Sequence, residues 1–294
     1  MRLAKRGVLG QALRMTNRLE GKWALVTGAS SGFGAETARQ FAGMGMNLLL
    51  GARREERLAE VAAECTGRGA ASAHVHKLDV TCTESVNVFA DWAGSTAGRV
   101  DVLVNNAGGA HGVDRVEDGK DADWETMFQS NALGILRVTR AVLPLMKPHP
   151  GGVILNIGSI AGRVAYEGGS AYCASKAAEL SITKALRLEL NGTGLRVGTI
   201  DPGMAETEFS MVRLKGDREK ADAVYSGVEP LTAEDVAEAI VWAANRPPHV
   251  CIDEILMMCT AQAAPYKVHR LSLIHISEPT RQAEISYAVF CLKK

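Results

Sequence analysis

Short runs of almost continuous apolar residues alternate with longer segments of mixed polarity along most of this chain. The apolar runs are Trp23–Thr27, Asn47–Gly51, Ala73–Leu78, Asp101–Asn105, Val153–Gly158, Leu195–Ile200 and Glu254–Met258. Runs of this kind are typical of strands buried on both faces, as in a parallel sheet that is covered by helices. This alternation restricts the possible folds more than any other feature of the sequence.

The intervening segments are predicted to be helices, over Glu36–Met44, Glu55–Cys65, Val86–Ala97, Trp124–Met146, Ala171–Leu190 and Thr232–Ala244. The last of these starts with Thr232, a residue type that caps helix N-termini. The sequence therefore predicts an α/β protein with a three-layer Rossmann-like fold, whose doubly wound, mostly parallel sheet has about seven strands. One domain is expected to cover residues 21–270.

Composition excludes several classes of function. The 33 basic and 33 acidic residues give a formal net charge of zero, unlike a nucleic-acid-binding domain, which needs a basic excess. The apolar runs are too short to span a membrane, and a cytoplasmic protein is expected. The six cysteines lack CxxC spacing, so we favour buried thiols over disulfides. His74 and His76 have no partner cluster, and no metal site is expected.

Both ends of the chain are unusual. Residues 1–20 form a basic extension with five Lys or Arg and no acid before Glu20. This extension allows two interpretations: organelle targeting by residues 1–14, or a native start at Met15. Leu271–Arg281 and Ile285–Leu292 resemble translated sequencing adapters, so residues 271–294 are expected to be a non-native tail. The alternative is a genuine amphipathic tail.

A glycine-rich segment directly follows the first predicted strand, and it reads Gly28-Ala29-Ser30-Ser31-Gly32-Phe33-Gly34. Glycines here permit a tight turn and a close approach of the backbone, and the following helix presents free N–H groups to a pyrophosphate. Because the segment lies between a buried strand and a helix, a dinucleotide site is favoured over an ordinary structural turn.

The end of the second strand indicates which dinucleotide is bound. An NAD site usually has an acidic residue there for the ribose 2′-hydroxyl, but this sequence has Arg53 and Arg54. Guanidinium groups suit a 2′-phosphate, which predicts NADP as the cofactor. Asp79 ends the third strand, where it either accepts a hydrogen bond from adenine or is an ordinary strand-end residue.

Tyr172 and Lys176 are four residues apart on a predicted helix and therefore share one face. A nearby ammonium and a cationic nicotinamide both favour the tyrosine phenolate. Tyr-x-x-x-Lys alone is common, but other polar residues are expected at the same edge of the sheet. They are Ser159, Pro202-Gly203, Asn106-Ala107-Gly108 and Asn131, the last inside a helix, where Asn is a poor former.

Together these motifs resemble those of the short-chain dehydrogenase/reductase family over residues 21–260. The resemblance implies that Tyr172 is the general acid or base and that Ser159 orients the substrate oxygen. It further implies that Lys176 holds the nicotinamide ribose and lowers the pKa of Tyr172, and that Asn131 anchors a water. The cofactor-binding residues it implies are Gly28, Ser30, Ser31, Gly32, Phe33, Gly34, Arg53, Arg54, Asp79, Val80, Asn106, Ala107, Gly108, Tyr172, Lys176, Pro202, Gly203 and Thr207.

Residues 202–217, 231–238 and 247–250 are similar to those of NADP-dependent 3-hydroxy acid dehydrogenases, the group that includes serine 3-dehydrogenase and malonic semialdehyde reductase. This resemblance implies a small hydroxy acid such as L-serine, L-allo-threonine or 3-hydroxypropionate as substrate. Arg213 or Lys215 could hold the substrate carboxylate, although both could equally be solvated loop charges. Residues 112–123 depart from the family pattern, which leaves the substrate size open.

Two alternatives remain at this point. One is a broad-specificity carbonyl or 3-oxoacyl reductase, and the other is a non-catalytic NADP-binding regulator, against which the intact Asn131, Ser159, Tyr172 and Lys176 argue. The resemblance also implies a homotetramer in which the two long helices form subunit contacts. Small residues on the second of these helices would allow close packing there: Ala171, Ala174, Ala177 and Ala178.

Overall fold

Seven parallel strands form one sheet in the order β3-β2-β1-β4-β5-β6-β7. The computed structural model describes residues 16–271; the proposed targeting segment and residues 272–294 of the adapter-like tail lie outside them. The elements are β1 (Trp23–Thr27), α1 (Gly32–Gly43), β2 (Asn47–Ala52), α2 (Glu55–Gly67), β3 (Ser72–Lys77), α3 (Thr83–Ala97), β4 (Val102–Asn105), α4 (Asp121–Phe128), α5 (Gly134–Met146), β5 (Val153–Ile157), α6 (Ser170–Glu189), β6 (Arg196–Pro202), α7 (Phe209–Arg213), α8 (Arg218–Ala223), α9 (Ala233–Ala244), β7 (Glu254–Met257), β8 (Gln262–Ala264) and β9 (Lys267–Val268).

Helices cover both faces of the sheet, as the apolar runs predict. On β2, Leu48 and Leu50 belong to the core beneath α1, α2 and α9, whereas Leu49 belongs to the core beneath α3, α5 and α6. All three side chains are fully buried. The Rossmann-like α/β prediction is therefore confirmed, because alternate side chains of an apolar strand need a helix layer on each side.

The strand order reverses at β1, which pairs with β2 on one side and β4 on the other. Open α/β sheets bind ligands at such a reversal, outside the carboxyl ends of the strands. The chain segments that follow β1, β4, β5 and β6 all leave the sheet at this edge. They carry most of the residues that the sequence indicates as functional.

The prediction of one continuous helix over residues 124–146 is wrong. The segment 124–146 is divided into α4 and α5 by a π-helical turn over Gln129–Leu133. Asn131 lies inside this turn, where its side chain bonds to other segments rather than facing solvent. A π turn of this kind inserts an extra residue into the helix and is frequent at functional sites.

Other differences concern helix starts and short elements. The helix α1 begins at Gly32 rather than Glu36, because the glycine-rich segment itself forms the first turn. The short helices α7 and α8 and the β8–β9 hairpin were not predicted, since elements of two to six residues leave little periodic signal. At Thr232 the predicted N-cap is confirmed, and Asp235 completes a reciprocal capping box.

Within the described residues the helices are all too short or too polar to cross a membrane. The cysteines of this part of the chain are free thiols, but the expectation that they are buried holds for Cys65, Cys173 and Cys259 only, since Cys82 and Cys251 are exposed.

Candidate active site

The glycine-rich segment connects β1 to α1 with almost no space around its backbone. A Cβ on Gly34 would lie 2.5 Å from the carbonyl oxygen of Gly28 and would overlap the side-chain amide of Asn106. Gly28 has a φ of +65°, a conformation that side-chain-bearing residues rarely adopt. Glycine at these two positions therefore lets the segment pack directly against the residues that follow β4.

Asn106 ties this segment to the end of β4. Its side-chain Nδ2 donates to the carbonyl oxygens of Thr27 (2.9 Å) and Gly28 (3.2 Å). In return, the Thr27 hydroxyl accepts from the backbone N–H groups of Asn106 and Ala107, both at 3.0 Å. Two of the predicted cofactor segments are thus one rigid unit.

At the far end of the segment, Arg54 points back from β2 to the two serines. Its guanidinium donates to Ser31 Oγ at 2.6 Å and to Ser30 Oγ at 3.3 Å. The same guanidinium pairs with Glu208 at 2.9 Å, and Arg57 pairs with Glu208 too. A carboxylate thus already lies against the group expected to bind a phosphate.

Arg53 is exposed, and no hydrogen bond joins it to the glycine-rich segment in the described part of the chain.

The residues after β3 are Asp79 and Val80. Asp79 Oδ1 accepts hydrogen bonds from the backbone and the side chain of Thr81, at 2.9 and 2.7 Å. Burial works to raise the pKa of Asp79, but the bonds from Thr81 prevail and hold it below its usual value. Val80 is buried, and its side chain packs against Gly134 at the start of α5, where there is no room for a Cβ.

Ser159 and Tyr172 come together although they belong to different elements. Ser159 follows β5 and caps a short 3₁₀ turn, with its Oγ accepting from the Ala161 N–H at 3.1 Å. Tyr172 lies in the first turn of α6, and a hydrogen bond joins the two hydroxyls. Both line the same cavity, so a carbonyl oxygen there would meet the serine and the tyrosine together.

The charge beside Tyr172 differs from the expectation. Burial raises the pKa of Tyr172, while the bond to Ser159 and the charge of Arg213 oppose the rise. Lys176 is also buried, which lowers its pKa, and its Nζ donates to the Ile157 carbonyl at 2.6 Å. In the chain alone the pKa of Tyr172 thus lies above its ordinary value, and the lowering by Lys176 that the resemblance implies stays a prediction.

Asn131 is completely buried and joins three segments. Its Nδ2 donates to the Gly109 carbonyl (2.9 Å) and to Ser175 Oγ (3.0 Å), while its Oδ1 accepts from the Gly109 N–H at 2.9 Å. Both of its N–H groups are used within the protein. The side chain therefore holds the Gly108–Gly109 backbone beside α6, and the water-anchoring role that the resemblance implies stays a prediction.

A cavity of about 350 Å³ opens beside Ser159 and Tyr172. Phe33 and Thr207 line it on the cofactor side, and Pro202 and Gly203 form its floor after β6. Arg213, at the end of α7, reaches over the Tyr172 ring, with its guanidinium carbon 5.6 Å from the ring centre. The cavity therefore brings four of the predicted cofactor residues together with the predicted substrate residues Ser159, Tyr172 and Arg213.

The structure separates the two candidate carboxylate-binding residues. Arg213 donates to the Gly112 carbonyl (3.3 Å), the Tyr166 hydroxyl (3.0 Å) and the Gly168 carbonyl (3.5 Å), inside the cavity. Lys215 instead pairs with Asp123 at 2.7 Å at an exposed position outside it. The divergent segment 112–123 thus contributes to the cleft through Val113, which lines it, and through the Gly112 carbonyl, which supports Arg213.

Sequence reasoning missed several residues of this site. Tyr166 lies under Arg213, and burial raises its pKa to about 12. Gln262, in the β8–β9 hairpin, accepts from the Met204 N–H at 2.7 Å and packs against Gly203. Neither residue has a motif of its own, because both are brought to the site only by tertiary packing.

The residues fit a phosphorylated dinucleotide. Gly28 and Gly34 admit no Cβ because the segment packs against Asn106, and the helix α1 starts directly in this segment, as in sites that bind a pyrophosphate at a helix N-terminus. Ser30, Ser31 and Arg54 provide hydroxyl and guanidinium donors at the end of β2, and a carboxylate already occupies that donor set. Such donors suit a 2′-phosphate better than a 2′-hydroxyl.

Comparison with known proteins agrees with this geometry. Residues 22–218 match the family described as short chain dehydrogenase. An NADP-dependent 3-hydroxy acid dehydrogenase of Schizosaccharomyces pombe is 44% identical over 255 residues, which cover 86% of this chain and 98% of that protein. Sulfoacetaldehyde reductase 2 of Chromohalobacter salexigens is 46% identical over 240 residues, which cover 81% of this chain and 94% of that protein.

Among solved structures, the closed form of a serine dehydrogenase complexed with NADP⁺ superposes with a TM-score of 0.79 at 39% sequence identity. The match covers 85% of this chain and all of that one.

Proposed function

This chain belongs to the short-chain dehydrogenase family, and on that premise we propose that it is an NADP(H)-dependent dehydrogenase of small 3-hydroxy acids. Hydride would pass between the nicotinamide and the C3 carbon that bears the hydroxyl or carbonyl oxygen. L-Serine, L-allo-threonine and 3-hydroxypropionate are the substrates proposed. The related 3-hydroxy acid dehydrogenase and the NADP⁺-bound serine dehydrogenase support this choice.

One observation carries the substrate assignment: the guanidinium of Arg213 lies over the Tyr172 ring inside the cavity. Three of its five N–H groups are used by Gly112, Tyr166 and Gly168, and two remain for a ligand as far as the described residues go. A planar guanidinium binds carboxylates in a bidentate manner. A hydroxy acid held there would place its hydroxyl-bearing carbon near Tyr172.

The residues of the chain then divide the work. Tyr172 takes the proton from the substrate hydroxyl during oxidation and returns it to the carbonyl oxygen during reduction. Ser159 donates a hydrogen bond to that oxygen and stabilises its developing charge. Arg213 adds positive charge near the phenolate. Lys176, one turn along α6, is proposed to add a second positive charge, and Asn131 keeps the Gly108–Gly109 backbone in place beside α6.

The dinucleotide would be held by the segment Gly28–Gly34, with its 2′-phosphate against Ser30, Ser31 and Arg54. When bound, it supplies the hydride or accepts it, and its oxidised ring adds a positive charge that favours the Tyr172 phenolate. The anion-binding N-terminus of α1 and the donor set around Arg54 support this placement.

A second candidate substrate is a small aldehyde that carries a sulfonate. Sulfoacetaldehyde reductase 2 is as similar to this chain as the hydroxy acid dehydrogenase is. Because Arg213 recognises negative charge and planar or tetrahedral oxygen groups alike, it would hold a sulfonate as well as a carboxylate.

The assembly proposed is a homotetramer formed through the two long helical segments. Phe128 on α4, Leu133 in the π turn and Leu136 on α5 are exposed, and so is Leu188 on α6. Apolar side chains of this size on a helix face commonly mark subunit contacts. Light scattering of the purified chain tests the assembly: four subunit masses are expected, and a single subunit mass contradicts it.

The full-length chain should be assayed with NADP⁺ and NAD⁺ against the three hydroxy acids, 2-hydroxyethanesulfonate and, in reverse, neutral cyclic and aryl ketones. We expect oxidation of at least one hydroxy acid with NADP⁺ preferred, and its loss in Tyr172→Phe. If only the sulfonate turns over, the second candidate is correct. Reduction of neutral ketones without any turnover of anionic substrates would instead identify a general carbonyl reductase.

A further inference from the structure

Two buried carboxyl groups lie behind the catalytic lysine and are not used by the mechanism above. Glu179 follows Lys176 by one turn on α6 and is completely buried, and Asp201 on β6 is 1% exposed. Acidic residues are seldom buried to this extent without a partner for their charge. Whether each of the two groups is charged or carries a proton therefore depends on the partners that surround it.

The two carboxyl groups converge on one point above Gly158, the residue that precedes Ser159. A Cβ placed there would lie 2.7 Å from Glu179 Oε2 and 2.8 Å from Thr199 Oγ1, and it would overlap Asp201 Oδ1. The Thr199 hydroxyl links the pair, since it donates to Asp201 Oδ1 at 2.6 Å and lies 3.5 Å from Glu179 Oε1. Only glycine leaves room for this arrangement.

The nearby cations are divided unequally between the pair. Asp201 Oδ2 accepts from Arg163 Nε at 2.6 Å, and Arg163 is itself held by Glu254 at 2.7 Å. Lys184 pairs with the outer side of Glu254 at 3.2 Å. Asp201 therefore has a guanidinium of its own.

Glu179 has no such cation. Its Oε1 accepts from Thr183 at 3.0 Å, whereas its Oε2 is buried with no hydrogen-bond partner among the described residues. The charge of the Lys176 ammonium acts on Glu179, but the hydrogen bond that Lys176 makes goes to the Ile157 carbonyl.

We propose that Glu179 carries the single proton of a Glu179–Asp201 carboxyl pair and, by being neutral, leaves the charge of Lys176 available to Tyr172. Two adjacent buried carboxyl groups cannot both ionise readily, and the one with the cation ionises first. Glu179 is thus a positioning residue, which acts on the reaction through Lys176. Burial raises the pKa of Glu179, and Asp201 adds to the rise that Lys176 opposes.

The sign of the effect on catalysis follows. An ionised Glu179 would raise the pKa of both Tyr172 and Lys176, because a negative charge favours the protonated form of each. As the pH rises through the pKa of Glu179, the wild type should therefore gain less oxidation rate than a variant that stays neutral. Glu179→Gln is such a variant, and it keeps the shape of the side chain.

The test has a spectroscopic arm and a kinetic arm. Infrared spectra of the full-length protein without cofactor or substrate should show, at neutral pH, the carbonyl stretch of a buried carboxylic acid. That band should be absent in Glu179→Gln and present in the control Glu254→Gln, which removes the outer carboxylate of the same network. Carbon-13-labelled glutamate in the wild type reports the same protonation state by NMR without any substitution.

The kinetic arm rests on the proposed dehydrogenase function and follows kcat/KM for oxidation against pH. We expect wild type and Glu179→Gln to agree near neutral pH, and Glu179→Gln to become faster, by up to about tenfold, where the acid band of the wild type titrates away. Absence of the acid band at neutral pH, or identical pH profiles across its titration, would overturn the proposal. Because the spectroscopic arm needs no substrate, failure of the proposed function alone would leave that arm readable.

Discussion

The cofactor side and the substrate side of this cleft are built by different means. On the cofactor side, backbone segments after β1 and β4 pack so closely that Gly34 has no space for a methyl group. On the substrate side, the cavity is formed by long side chains from irregular segments, chiefly Arg213 and Tyr166. A site made of backbone should be sensitive to added volume, whereas a site made of side chains should be sensitive to lost charge.

The largest effect is expected from Gly34→Ala. The new Cβ would lie 2.5 Å from the Gly28 carbonyl and against the Asn106 amide, so the glycine-rich segment must move. We expect NADP⁺ affinity, measured by fluorescence titration, to fall by about 100-fold or more. Gly43→Ala is the matched control, because nothing lies within 4 Å of its Cβ position near the end of the same helix. Equal affinities of the two variants would show that the cofactor side is not limited by volume.

Asn131→Ala should have the next largest effect, since this residue joins the two sides. Losing its bonds to Gly109 and Ser175 leaves buried polar groups unpaired, and we expect a loss of about 2–4 kcal/mol in the free energy of unfolding. Denaturant titration measures this loss, and kcat should fall with it. Ser130→Ala, whose hydroxyl bonds to the carbonyl of Thr126 one turn earlier, should change stability by less than about 0.5 kcal/mol. A similar loss in both variants would mean that the π turn itself, rather than Asn131, carries the stability.

Arg54→Ala tests the one part of the cofactor side that depends on charge. Its guanidinium contacts both serines of the glycine-rich segment, but it is almost half exposed, so salt screens it. We expect the preference for NADP⁺ over NAD⁺ in kcat/KM to fall by about 10- to 30-fold, and by less at high salt.

The control for this prediction is Arg57→Ala. Arg57 pairs with the same Glu208, but no hydrogen bond between Arg57 and the two serines is present in the described chain. If Arg57→Ala reduced the preference as much as Arg54→Ala, the general basic charge at this surface would set the specificity, not the contact with the serines.

The same contrast explains what could be predicted from sequence. The glycine-rich segment and the Tyr172–Lys176 pair are local motifs on regular elements, so their place in the fold follows from the order of strands and helices. The choice between Arg213 and Lys215 could not be made from sequence. It depends on the Gly112 carbonyl, which is 101 residues from Arg213 in the chain and accepts its Nε–H.

Two other features were beyond sequence reasoning for a related reason. The π turn at Asn131 arises because its side chain finds better partners on Gly109 and Ser175 than a continuous helix would allow. The protonation of Glu179 depends on which carboxyl group Arg163 reaches in three dimensions. The spacing of apolar residues along a helix indicates neither the π turn nor the protonation of Glu179.

Arg213→Leu, with Lys215→Leu as its matched control, tests most directly whether Arg213 makes this an enzyme of small anionic substrates. Turnover of the best anionic substrate and of a neutral ketone should be compared in both variants with saturating cofactor. We expect Arg213→Leu to lower kcat/KM for the anionic substrate by about 100-fold while the neutral ketone changes much less, because only the former loses a charged hydrogen bond. Lys215→Leu should leave both nearly unchanged. Equal losses for anionic and neutral substrates in Arg213→Leu, or an undiminished anionic substrate, would contradict the account.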